Sequence, residues 1–529
     1  MIYRISELRL ELDGSPEDLK KEAAKRLRVA PEAIRSLSLF RKSVDARKRD
    51  DVHFVCTAEA DCPSARAPRD HRVTKAVPYR YELPVCRALE QRPVVVGFGP
   101  AGMFAALILA QAGQRPVVLE RGSRVEEREK LVSRFWRDGT LDPECNVQFG
   151  EGGAGTFSDG KLNTGTKDPR IRKVLEEFAA AGAPREILWE AKPHIGTDRL
   201  PRAVRGIRER ILSLGGEILF DTRMTSLLRK DGRVSGVEFR TRRGAPERLE
   251  TGAVILAVGH SARDTFEELF AAGVPMEPKA FAVGARIEHP QSLIDAAQYG
   301  KFAGRPALGA ADYKLAVHLE NGRGVYTFCM CPGGQVVAAA SEPGRLATNG
   351  MSRFARDGEN ANAALLVGVG PEDFGADGPL AGVELQRKLE EAAFRLGGGE
   401  YRAPVQRVED FLERRASVRP GDVVPTYRPG VTPCSLDGCF PDFIADSMRE
   451  GIRRMDARLR GFAFPDAVLT AVESRSSSPV RILRGEEDGQ SPALPGLYPC
   501  GEGAGYAGGI VSAAVDGIRC AERILKQLS

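Results

Sequence analysis

A strand of three valines, a glycine-rich turn and an uncharged helix follow one another without a break between Val94 and Gly113. This run constrains the chain more than any other segment. Gly97, Gly99 and Gly102 form G-x-G-x-x-G directly after Val94–Val96. In such a strand–turn–helix unit the first glycine permits the tight turn. The second lets the backbone approach a pyrophosphate, and the third lets the helix pack closely on the sheet. The helix start, at Pro100 and Ala101, offers unpaired N–H groups and the positive end of a dipole to phosphate oxygens. Glu120 closes the next apolar strand 23 positions beyond Gly97. A dinucleotide's ribose-binding acid is expected about 20 residues on. Arg121 follows it and belongs to the same candidate contact. A carboxylate there repels a 2′-phosphate, which disfavours NADP at this position. Residues 94–113 are also long enough to span a bilayer, but the glycines and Pro100 sit where a strand must turn into a helix.

The chain has 529 residues, too many for one compact core. Its net charge of +5 is spread thinly, without the concentrated basic face that nucleic acid requires. Ten cysteines are scattered without a C-x-x-C pair, and six histidines show no ligand spacing. That pattern suits reduced thiols in a cytoplasmic protein and gives no metal site. The opening MIYRISELRLELDG lacks the apolar run of a signal peptide.

Four segments follow. Residues 1–88 read as a small α+β domain. Its expected elements are a strand at IYRISELRLEL and a Ser-capped helix at SPEDLKKEAAKRL. A second helix then runs into a strand over APEAIRSLSLFRKSVDAR, and DDVHFVCTAEA and AVPYRYELPV are further strands. Residues 89–265 carry the dinucleotide motif, a β-meander turning at Asp231-Gly232 and the apolar strand ending at Val258-Gly259. Residues 266–465 read as an inserted mixed α+β substrate domain, and residues 466–529 return to the dinucleotide fold with a strand, a Gly-rich loop and a helix.

The order of these blocks resembles FAD-dependent oxidoreductases of the glutathione reductase type. The resemblance implies that Gly501 and Glu502 form the late Gly-acid pair beside the ribityl chain. Gly508, Gly509 and Ile510 then open the helix that points at the flavin pyrimidine edge. A helix dipole there stabilises the negative charge of reduced flavin. The segment NVQFGEGGAGTFSDGKLNT at Asn146–Thr164 matches the loop that follows the flavin ring, which implies contacts from Gly153, Thr156, Ser158, Lys161 and Asn163. Met224 matches the position whose backbone meets adenine. With HIGTD at His194–Asp198, ESRSSSPVRI at Glu473–Ile482 and CGEGAGYAGGI at Cys500–Ile510, the chain is similar to a family of uncharacterised FAD-dependent dehydrogenases. The expected fold is therefore α/β: a Rossmann-type FAD-binding domain with an inserted mixed α+β substrate domain and a small N-terminal α+β domain.

Flavin carries the electron chemistry, and the protein positions it and excludes water. Candidate catalytic residues are His194 as an acid–base group, Lys161 as a cationic donor near the flavin, Arg475 as an anion binder and Tyr506 at the flavin edge. Glu473, Ser477 and Arg481 lie in the same late segment. Cys145 stands alone where disulfide reductases carry a cysteine pair, and VGVGPEDFG at Val367–Gly375 lacks the glycine spacing of a second nucleotide fingerprint. The expected function is hydride transfer between flavin N5 and a small-molecule substrate, with NADH or NADPH as a transient reductant. A flavin-dependent RNA-modifying enzyme and a non-catalytic FAD-binding scaffold are the alternatives. Oligomeric state is not legible.

Overall fold

A computed structural model describes residues 1–65 and 70–527. Its core is a mixed α/β arrangement of two large sheets that face each other across a cleft.

The first sheet is parallel. Its five strands, Leu497–Pro499, Val254–Leu256, Val94–Val96, Val117–Leu119 and Glu217–Leu219, neighbour one another in that order. Most are short and wholly apolar because both faces are covered. The helix Pro100–Gln111 is buried on every side from Ala101 to Ala110. It therefore shows no polar stripe, and it lies against the final helix Ile510–Lys526. The two approach so closely that a Cβ on Gly517 would come within 2.0 Å of the Ala101 carbonyl oxygen. The other face is covered by the meander Thr222–Lys230, Arg233–Thr241 and Pro246–Glu250, through Met224, Val237 and Phe239. The meander turns at Asp231 and Gly232, both with positive φ (52° and 73°), the two-residue hairpin geometry the sequence announced.

The second sheet has seven strands, ordered Ala316–His318, Gly324–Cys331, Asn360–Val369, Phe281–Pro290, Val468–Glu473, Ala403–Arg407 and Val431–Pro433. Strand alternation splits its side chains into two sets. Val283, Ala285, Ile287, Ala363 and Leu365 pack with Leu389, Met448 and Ile452 from the helices Ala381–Leu396 and Asp442–Asp456. Arg286, Glu288, Asn362 and Thr470 take the opposite face, and all four are fully buried. Val468–Glu473 is paired on both edges within this sheet, so the sheet runs past the sequence division at 465. VGVGPEDFG is the end of strand Asn360–Val369 and a following turn, as expected of a strand leaving into a loop.

In the N-terminal module the strands Ser36–Asp45, His53–Asp61, Ile2–Leu10 and Val73–Lys75 form one antiparallel sheet. The helix Pro16–Leu27 packs on it, opened by a Ser15–Asp18 capping box. Two expectations fail here. The second helix is a single turn at Pro31–Ala33, because the alternation of Ser36-Leu37-Ser38-Leu39 commits that stretch to strand pairing. AVPYRYELPV is not a strand. Pro78 and Pro84 lack the N–H that a ladder needs, and the segment instead crosses to the parallel sheet, where Tyr81 Oη donates to Glu522 at 3.0 Å. Among the described residues no helix is long and apolar enough to cross a membrane.

Candidate functional site

Ligands of parallel α/β sheets bind beyond the carboxyl ends of the strands. A cleft of about 470 Å³ opens there, walled by the parallel sheet's loops on one side and by the second sheet on the other.

The first wall carries most of the expected cofactor residues. Gly97, Gly99, Pro100, Ala101, Glu120, Arg121, Met224 and Gly259 line it, with Glu502, Gly508, Gly509 and Ile510 from the late loop. Gly97 turns the chain at a φ of 97°, a conformation that L side chains rarely adopt. Gly102 does not line the cleft. A Cβ on it would come within 1.9 Å of the Gly97 carbonyl oxygen, so its part is to let the helix close on the turn. The helices Pro100–Gln111 and Ile510–Lys526 both point their N-termini at the cleft, and neither has a side-chain cap. Their first N–H groups are thus left for an acceptor.

Glu120 is held before any ligand arrives. Its carboxylate accepts from the backbone N–H groups of Phe98 (2.8 Å), Gly122 (2.9 Å) and Gly150 (3.0 Å). These bonds tie the glycine turn, the strand end and the Gly-rich segment together. Arg121 spans Glu144 and Asp264 and stacks on Phe149. Gly99 and Gly153 pack directly on each other, so the Gly-rich segment crosses the nucleotide turn. Gly153, Ser158, Lys161 and Asn163 of that segment line the cleft. Thr156 and Gly501 do not: the Thr156 hydroxyl donates to the Glu151 carbonyl at 3.1 Å, and the Gly501 N–H donates to Asp516 at 2.7 Å. Both brace the loops that do.

Glu502 is half-buried in the cleft wall. Burial pushes its carboxyl up to about 7, with Lys279 acting the other way. Behind the late loop, Cys500, Asp516 and Cys520 cluster, and the Arg484 guanidinium bonds Asp516 at 2.7 Å.

The four catalytic candidates divide. Lys161 and Arg475 line the cleft, whereas His194 and Tyr506 are not among its lining residues. The His194 ring stacks on Phe354, and its Nε2 lies 3.0 Å from the Phe354 carbonyl oxygen. Burial, then Arg356, lowers its pKa. Its backbone pairs with that of Lys161, so it positions the lysine's segment. Tyr506 lies under the Arg484 guanidinium, 3.8 Å from its ring centre. Arg475 is not free to bind an anion. It grips Glu390 with two bonds of 2.8 Å and Ser341 with one of 2.5 Å, while Arg263 holds the other side of Glu390. Burial alone would raise the Glu390 carboxyl, but the two arginines hold it well below the usual carboxylate range. An anion-binding role therefore fails because an internal carboxylate already occupies the guanidinium.

Several lining residues escaped the sequence reading. His260 follows Gly259 at the strand end, and burial, then Arg475 and Arg263, lowers its pKa to about 3, so it stays neutral. Its place after the glycine was a usable signal. Cys329, Asn349 and Tyr313 come from the second sheet's side. Burial pushes the Cys329 thiol up to about 11, which leaves it protonated and a poor nucleophile.

Comparison with known proteins gives the following. Residues 280–476 match the family described as "FAD-dependent protein, C-terminal domain-like", and residues 1–61 match a domain of unknown function (DUF8436). An uncharacterised protein of Clostridium beijerinckii is 47% identical over 534 residues, covering 100% of this chain and 99% of the relative. Among solved structures, a geranylgeranyl bacteriochlorophyll reductase-like protein from Thermoplasma acidophilum is 11% identical at a TM-score of 0.37, over 83% of this chain and 79% of the other. An L-proline dehydrogenase from P. horikoshii is 12% identical at 0.34, over 84% and 95%. These structural likenesses are too slight to transfer an activity.

Proposed function

The chain belongs to the family of the full-length Clostridium relative, and on that footing we propose that it is an FAD-dependent oxidoreductase acting on a small molecule. The observation that carries this reading is the convergence of two uncapped helix N-termini and a prearranged carboxylate on one cleft. The match of residues 280–476 to an FAD-dependent family supports it from the opposite wall.

In this reading the turn at Gly97–Gly102 and the start of helix Pro100–Gln111 hold the pyrophosphate, and Glu120 accepts a ribose hydroxyl with lone pairs left by its three backbone donors. Met224 offers its backbone to adenine. Glu502 meets the ribityl chain, and the N-terminus of Ile510–Lys526 faces the part of the flavin that becomes anionic. FAD, once bound, supplies the acceptor for a hydride. The segment from Gly153 to Asn163 closes one side of the cleft, and the second sheet covers the other and excludes water.

Anaerobic titration of the FAD-loaded protein, first with candidate donors and then with NADH and NADPH, tests this. Rapid loss of the oxidised visible spectrum with any of them is expected. A spectrum that survives every donor and both nicotinamides would contradict an oxidoreductase.

A further inference from the structure

One buried carboxylate lines the cleft without a hydrogen bond. Glu473 ends the strand Val468–Glu473, lines the cleft, and is 4% exposed. Its Oε2 has no hydrogen bond, and its other oxygen lies 3.8 Å from Arg286 Nη1, too far to bond. Arg286 is fully buried and itself fixed by Asn362 and by the Cys329 carbonyl. Buried polar atoms are almost always satisfied, and an exception inside a binding cleft marks a place where something else completes the bond.

Resting on the flavin reading, we propose that Glu473 is the residue that exchanges a proton with the substrate. The substrate class follows: a donor whose reacting carbon bears an O–H or N–H. The O–H or N–H bond breaks with its proton passing to the Glu473 carboxylate. The C–H hydrogen passes to FAD together with the bond's electron pair, as hydride, and a C=O or C=N bond forms. The substrate is oxidised by two electrons and FAD is reduced. Arg286, set back from the cleft, is a positioning residue whose charge lies 3.8 Å from the carboxylate's other oxygen.

The charge around Glu473 suits this task. Burial pushes its carboxyl up to about 7, against the pull of Arg286. Cys329 lies near it from the strand Gly324–Cys331, with two strands between them in the sheet, and its thiol is raised by burial and therefore uncharged near neutrality. Lys161 and Asp159 of the Gly-rich segment line the same cleft. Arg475, two residues on, is neutralised by Glu390. A carboxylate poised near neutrality is an efficient proton acceptor.

The test uses the full-length FAD-loaded protein, its Glu473→Gln and Glu473→Asp variants, and Glu502→Gln as the control for the second raised carboxyl. Lactate, alanine and benzylamine serve as donors. Three quantities are read: FAD affinity, the pH dependence of the bound-flavin spectrum, and the rate of anaerobic bleaching. The expected result is FAD affinity within about twofold of wild type for Glu473→Gln. The spectral change near neutrality should shrink in that variant, and the part that remains should be the part lost in Glu502→Gln. Bleaching should fall by roughly 10²–10⁴, with partial recovery in Glu473→Asp. A Glu473→Gln protein that keeps both the wild-type spectral titration and the wild-type bleaching rate would overturn the proposal, as would one that no longer binds FAD. Failure of the wild type itself to bind FAD would instead overturn the flavin reading on which the proposal rests.

Discussion

The two walls of the cleft are built on opposite principles. On the nucleotide wall the glycine turn is fixed in advance: Glu120 already accepts three backbone N–H groups, Gly97 and Gly102 are locked by close approach, and the open groups are the first N–H groups of two helices. Behind the facing wall the second sheet buries Arg286, Asn362 and Thr470, with Glu473 at the cleft itself, and each of them keeps an atom without a hydrogen bond. A wall fixed in advance is a rigid mould for one molecule. Of these four only Glu473 lines the cleft, and its carboxylate is the group left to meet a second molecule. The difference fits the proposal that the first wall holds the cofactor and the second meets the substrate.

The largest effect that can break this contrast is on the mould. Gly102→Val would place a Cβ 1.9 Å from the Gly97 carbonyl oxygen. The strain should exceed the ~1–3 kcal/mol usual for overpacking, and the purified protein should carry no FAD by absorbance. Bound FAD at the wild-type level would show that the turn is not the phosphate cradle. Next comes the bracing of the second wall. Glu390→Gln removes the charge shared by Arg263 and Arg475, and should cost about 3–5 kcal/mol in denaturant unfolding. A loss below about 1 kcal/mol would mean that the network is not cooperative.

A smaller effect sharpens the first wall. Glu120→Gln gives up charge-assisted bonds of roughly 1.5–3 kcal/mol, so FAD affinity should weaken about 10- to 150-fold in a fluorescence titration. Unchanged affinity would detach Glu120 from the ribose. The mildest test is pH. Glu473 and Glu502 have carboxyls raised to about 7 in the folded protein, against about 4.3 when unfolded. The folded state therefore holds more protons between those values, and its stability falls as pH rises from about 4.3 to about 7, then levels. Thermal unfolding of the FAD-free protein should show that decline, and Glu502→Gln should flatten part of it. A melting temperature indifferent to this substitution across the window would remove the buried-carboxylate account.

How much of this was legible follows from how each wall is encoded. The nucleotide wall comes from contiguous segments: Gly97 to Gly102 sit in one turn, and Gly508 to Ile510 in one helix start. Local spacing reports such a wall directly. The substrate wall is assembled from strands far apart in sequence. Arg286 meets Thr470 and Ala364 only through strand pairing. The one local hint was the placing of Arg286 and Glu288 at alternate positions in the largely apolar strand FAVGARIEHP. His194 misled because a histidine in a short polar loop looks free, whereas here the Phe354 ring and carbonyl occupy it. Arg475 misled because the sequence does not show that Glu390 lies opposite.

The most direct test of the central claim is an equilibrium titration of the FAD-free protein with FAD, FMN and NAD, followed by flavin fluorescence and, for NAD, by calorimetry. The account predicts one FAD per chain and much weaker binding of FMN, which lacks the AMP half that the glycine turn and Glu120 would hold. It likewise predicts no competition from NAD. Tight binding of NAD in preference to FAD, or no binding of FAD, would contradict it.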